Sequence, residues 1–258
     1  MPKHALAIGA HPDDVEFLMA GTLALLQAGG WEVAIGVVAK GDCGTKEMSR
    51  KEITAVRRGE AEAAAKLLGA PVYFAGQNDL NIDVNAEARR KVTEIVRRAR
   101  ADLVLTHPPS DYMSDHEFTS RLVRDACFCA STPNYETEDP NPAQALDHIP
   151  ALFYCSPIEG LDLYGNAVRP GFVVDVTTQL DLKRNMLACH ASQRNWLRAQ
   201  HGIDQYLIAM EEWGRTCGAF AGFEQGEGFT QHLGHAFPRE NHIETALGAR
   251  VRILKNRA

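Results

Sequence analysis

The sequence predicts a single α/β domain, with a Rossmann-like, mostly parallel sheet flanked by helices and a C-terminal helical extension. Three observations carry this. Apolar runs alternate with helical segments four times in the first 130 residues, the pattern of successive βα units. A chain of 258 residues can form one large domain, or a main domain with an extension. A composition of 45% hydrophobic and 23% charged residues is that of an ordinary globular protein.

In chain order, residues 4–10 read as a buried strand and 16–29 as a helix ended by Gly29-Gly30. A second strand spans 31–38, and a Gly-rich polar loop follows over 39–48. A long helix with many alanines is expected over 49–69, stopped at Gly69. Strand 71–75, the polar loop Gln77-Asn78-Asp79 and helix 85–100 come next. The fourth strand, 102–106, enters a His/Asp-rich loop before helical periodicity resumes over 116–130. The Pro/Asn/Glu/Asp-rich stretch 131–149 reads as a surface excursion. Strands near 151–156 and 171–176 complete the expected sheet, and 178–216 reads as one or two helices broken near Gly202. The tail, 217–258, is rich in Gly, His and aromatics and weakly periodic. The expected division is therefore an α/β core over 1–176 and a helical extension and tail over 177–258.

Charge and apolar patterning narrow the function. A formal net charge of −6 argues against a general nucleic-acid binder, which needs a basic surface. No apolar run approaches the ~18 residues of a membrane span, and the N-terminal residues lack the features of a signal peptide. The six cysteines form no CxxC pair, which suits a reducing compartment. A cytoplasmic protein acting on a small molecule, with neither nucleic acid nor membrane as partner, is the expectation. The turn after the first strand lacks GxGxxG, and no Walker A lysine pattern is present, so nucleotide binding is set aside.

The chemistry is concentrated in His11-Pro12-Asp13-Asp14, at the end of the first strand. In an open α/β sheet the carboxyl ends of the strands are where ligands bind. A helix start capped by aspartate is the plain alternative. Buried carboxylates, however, need a partner or a metal. A catalytic zinc site takes about three protein ligands. His11 and Asp14 can supply two, and the loop Thr106–His116 offers His107 or His116 as the third. His116 is better placed, at the mouth of the following helix, and Asp115 can orient an imidazole from behind. Asp13, beside a ligand, is positioned to act as a general base toward water. Together these residues read as metal-assisted hydrolysis of an amide or ester.

His11-Pro12-Asp13-Asp14-Val15-Glu16 followed by Ala20-Gly21-Thr22-Leu23 resembles the signature of the LmbE/PIG-L zinc-dependent N-deacetylase family. The resemblance continues through Gly41-Asp42-Cys43-Gly44-Thr45, Arg57-Arg58-Gly59-Glu60-Ala61, Asp79, Asp111–His116 and Ser192-Gln193. It implies a Zn2+ enzyme that removes an acetyl group from an acetylated amino sugar or related small conjugate. By position it implies His11, Asp14 and His116 as zinc ligands, Asp13 as base, and Arg57 near substrate with Glu60 as its structural partner. It also implies a homo-oligomer, for which the Gly-rich tail can serve as an arm across a neighbouring subunit.

One position departs from the pattern. Many family deacetylases carry a histidine where this chain has Met113, and that histidine stabilises the oxyanion or protonates the leaving amine. A thioether does neither well. Tyr112, His190, His107 or His235 can substitute, and Tyr112 and His190 are taken with Arg57 as substrate-binding candidates. The family also contains a hydratase of an unsaturated dicarboxylate, which keeps a metal-dependent hydratase or lyase as the alternative; a non-catalytic binding or assembly protein is the second. Trp196, Trp213, Phe220, Phe223 and Phe229 are expected in the core or an interface.

Overall fold

The structure, a computed structural model, describes residues 3–194 and 205–254. It is an α/β domain built on one eight-stranded mixed sheet. Five strands are parallel: β1 (His4–Gly9), β2 (Glu32–Ala39), β3 (Val72–Gln77), β4 (Leu103–Thr106) and β5 (Ala151–Cys155). Three more, β6 (Phe172–Asp175), β7 (Gly226–Gln231) and β8 (Val251–Ile253), extend the sheet by antiparallel pairing. The order is β3-β2-β1-β4-β5-β7-β6-β8. The helices are α1 (Asp14–Leu18), α2 (Ala20–Ala28), α3 (Arg50–Leu68), α4 (Ala86–Arg98), α5 (Ser114–Ala130), α6 (Leu180–Ala188), α7 (Gln205–Ala219) and α8 (His242–Leu247).

β1 is buried on both faces, as expected of a central parallel strand. Ala5 and Ala7 face a core with Val15, Leu23, Leu26, Phe153 and Phe229. Leu6 and Ile8 face the opposite core, with Val92, Val96, Val104 and Leu122. The helix α3 starts at a full capping box, Ser49 with Glu52, and ends at Gly69 in the left-handed conformation. The excursion over 131–149 contains no helix or strand and is pinned to α4, where Glu94 accepts from Thr137 and Ala143. Among the described residues no helix is long and apolar enough to cross a membrane.

The structure differs from the sequence expectation in two places. The segment expected as one helix over 16–29 is two helices, broken at Met19. At the start of α2, the amides of Gly21 and Thr22 donate to the carboxylate of Glu227, which also pairs with buried Lys183. The tail, expected as helix and irregular chain, supplies β7 inside the sheet and β8 at its edge. Gly226 and Gly228 weaken the strand signal of β7. They are there for close packing: a Cβ on Gly226 would lie 2.6 Å from Val173 Cγ1. The break expected near Gly202, and Trp196, lie outside the described residues. Phe229 is fully buried and Trp213 packs against the same core, whereas Phe220 is exposed.

Candidate metal centre and active site

The site forms because β1 has β2 on one side and β4 on the other, so the strand order reverses there. Ile8 pairs with Thr106, which brings the two loops leaving β1 and β4 together at the carboxyl edge. The first loop holds Asp13 at φ 112°, a left-handed conformation that is uncommon outside glycine and is a form of strain found at functional sites. Asp14 then opens α1, and its Oδ2 accepts the amide of His11 at 2.7 Å. From the second loop, His116 enters on the first turn of α5.

His11, Asp14 and His116 each offer a ligand atom, and these atoms lie within 4.8 Å of one another. All three are buried, yet they line a cavity of about 490 Å³. The far nitrogens of both imidazoles are held by carboxylates. His11 Nε2 lies 3.1 Å from Asp115 Oδ2, and His116 Nδ1 lies 2.9 Å from Asp111 Oδ1. This outer bracing is characteristic of metal-binding histidines. The donor set therefore fits a divalent cation of the zinc type, with two imidazoles and a carboxylate converging and cavity space beside them.

The electrostatics point the same way. Burial acts against charge on His11, but Asp115 and Asp14 outweigh it and raise its pKa to about 10. Burial likewise opposes charge on His116, and Asp14 and Asp111 reverse the balance upward. Burial would raise the Asp14 carboxyl, yet His116 and His107 hold it well below the usual range. The cluster is a concentration of negative charge that stabilises positive charge at its centre.

Asp115 does orient an imidazole, but the one it contacts is His11; Asp111 serves His116. His107 is fully buried, stacked on His116 with ring centroids 3.9 Å apart. Its Nε2 takes the amide of Ala10 at 3.0 Å and lies equally close to Asp14 Oδ2. A second group with ligand spacing, His107, Asp111 and His116, shares His116. The cavity is lined by His116 but by neither of the other two, which makes His107 a support beneath the centre.

Asp13 lines the cavity and is gripped through one oxygen. Its Oδ2 accepts from Arg57 Nη2 at 3.1 Å and from the Tyr206 hydroxyl at 2.5 Å. Among the described residues no hydrogen bond reaches Oδ1. Burial pushes the Asp13 carboxyl upward and Arg57 pulls it back, leaving it above the ordinary value. Burial and Asp13 push the Tyr206 phenol well above its usual range, so it remains a donor. Tyr206 stands at the start of α7, 193 residues from Asp13, and nothing in its local sequence marks it.

Arg57 is only 4% exposed and is bound to Pro12 O and Asp13. Gly41, at φ 73°, lies directly over it, since a Cβ there would sit 2.5 Å from Arg57 Cδ. The expected pairing of Arg57 with Glu60 is not formed. Glu60 instead accepts from the backbone amide and hydroxyl of Ser192, each at 2.7 Å. Tyr112 stands at the cavity mouth, 65% exposed, edge-on to His116 with centroids 5.4 Å apart. Met113 also lines the cavity. His190 does not: it is fully buried, with Nε2 3.4 Å from Glu16 Oε1. His235 is exposed and outside the lining.

Fold and site define a class, an α/β protein with a cluster of His and Asp side chains that could hold a metal ion and an adjacent carboxylate where its strand order reverses. Residues 6–127 match the family model described as PIG-L, GlcNAc-PI de-N-acetylase. It is 26% identical over 201 residues, 75% of each chain, to 4-oxalmesaconate hydratase of Pseudomonas putida. Among solved structures, N,N'-diacetylchitobiose deacetylase of Pyrococcus horikoshii superposes with a TM-score of 0.74 at 26% identity, covering 92% of this chain and 87% of that one. The 4-carboxy-2-hydroxymuconate hydratase of Pseudomonas putida shares the fold with a TM-score of 0.71 at 22% identity, covering 92% of this chain and 99% of that one.

Proposed function

We propose that the protein is a zinc-dependent hydrolase that removes the N-acetyl group from an acetylated amino sugar or related small conjugate. The convergence of His11, Asp14 and His116 beside the one-sided grip on Asp13 carries this reading. A cation bound by His11, Asp14 and His116 would supply Lewis acidity, acidifying water and polarising an acyl carbonyl. Asp13 does the proton work. Arg57 and Tyr206 occupy Oδ2, and Oδ1 would take a proton from the attacking water. The same carboxyl then returns that proton to the departing nitrogen, a role that Met113 cannot fill.

The second reading is a hydratase or lyase acting on a small unsaturated carboxylate. It is supported by Met113 and by the similarity to 4-oxalmesaconate hydratase. Asp13, Asp14 and Asp79 line the cavity against Arg57, and the divalent cation that both readings require balances the remaining charge, so the charge of the cavity does not separate them.

The test is a paired assay with zinc added or chelated. Amine release from N-acetylglucosamine or its conjugates is expected with zinc only. Loss of enone absorbance from an unsaturated dicarboxylate, with no amine released from any acetamide, would overturn the proposal in favour of the hydratase. We place the protein in the cytoplasm, acting on small molecules as a homo-oligomer, without nucleic-acid or membrane partners; size-exclusion chromatography with light scattering tests the subunit count.

A further inference from the structure

Two large apolar side chains are held out at the cavity mouth. Leu80 is 68% exposed and Tyr112 is 65% exposed, and both line the cavity. Leu80 sits at φ 58°, a left-handed conformation that leucine rarely adopts. Its amide is fixed at 2.6 Å by Asp115 Oδ2, the same oxygen that contacts His11. Tyr112 is positioned by its edge contact with His116. Tyr112 thus touches His116 directly, and Leu80 is linked to His11 through Asp115. Phe17 and Ile158 continue the apolar wall inward.

Two polar side chains of the cavity are engaged within the chain: Asp79 accepts the amides of Gly41 and Cys43, at 2.7 and 3.0 Å, and Gln193 donates to Gly44 O at 2.9 Å. An apolar substituent would cover the surface of Leu80 and Tyr112 that is otherwise exposed to water.

We infer that Leu80 and Tyr112 form a subsite for an uncharged apolar group, alkyl or aryl, on the amine side of the substrate. This deepens the deacetylase reading and rests on it for the identity of the amine side. The substrate class is an N-acetyl conjugate with an apolar substituent near the acetamide, in preference to an unsubstituted amino sugar.

The experiment uses N-substituted acetohydroxamic acids, which chelate zinc whatever reaction the enzyme performs and carry their substituent where the leaving amine would stand. Calorimetry on the zinc-loaded protein should find the N-phenyl compound bound at least about tenfold more tightly than the N-methyl one. Leu80→Asn keeps a residue that tolerates the left-handed conformation while removing the apolar group. Combined with Tyr112→Ser, it should abolish the N-phenyl advantage, read as the ratio of the N-phenyl to the N-methyl affinity within the same zinc-loaded variant. Equal affinities in the wild type, or an undiminished advantage in the double variant, would overturn the subsite. Failure of the deacetylase reading looks different: the N-phenyl preference persists while no acetamide yields amine.

Discussion

Asp13 concentrates several demands on one side chain: a left-handed backbone, a raised carboxyl pKa, and two donors on a single oxygen. Asp13→Asn keeps the shape and the three metal ligands but cannot accept a proton. Zinc content should be unchanged by elemental analysis while turnover falls by about 10²–10⁴-fold; near-normal turnover would remove Asp13 as base. His116→Ala should instead lose stoichiometric zinc, and turnover with it, in a protein that still folds. Tyr206→Phe removes one of the two donors to a charged group, a bond worth about 1.5–3 kcal/mol. If it steadies Asp13 for proton transfer, kcat should drop by about tenfold or more with KM little changed.

At the scale of elements, the most consequential contact is the one that starts α2. Glu227 and Lys183 are 3% and 4% exposed, and Glu227 also receives the amides of Gly21 and Thr22. Glu227→Ala would leave Lys183 buried without its counter-charge, at a cost of about 3–5 kcal/mol. Thermal unfolding should register that loss, and Glu227→Gln, which keeps an acceptor for the amides, should lose less. The sequence made β1 to β6 and most of the helices legible, because buried parallel strands and amphipathic helices impose local periodicity. His11, Asp13 and Asp14, with His107 and His116 as alternatives, could be read as candidates because they fall in the loops that leave two such strands. Tyr206, Leu80 and the break at Met19 were not, since each depends on a contact between distant parts of the chain. Strand β7 was hidden because its glycines answer to close packing and read locally as loop.

For the whole molecule, the metal centre should couple to stability. Zinc that binds the folded state alone, at 100 times its Kd, adds about 2.7 kcal/mol. For a chain of this size that is an increase of about 5–10 °C in Tm, reversed by a chelator. An unchanged Tm would mean that the cluster does not bind zinc in the native state. The contact between Glu227 and α2 has a further consequence for how the protein is made. During synthesis the loop bearing His11, Asp13 and Asp14 leaves the ribosome early, and the strand carrying His116's loop soon after. Arg57 follows soon after as well, but Tyr206, which completes the grip on Asp13, and Glu227, which caps α2, emerge only after residue 200. A nascent chain arrested at residue 176 should therefore remain protease-sensitive around Met19 and bind zinc poorly. Maturation of the centre then waits on synthesis of the segment that carries Tyr206 and Glu227.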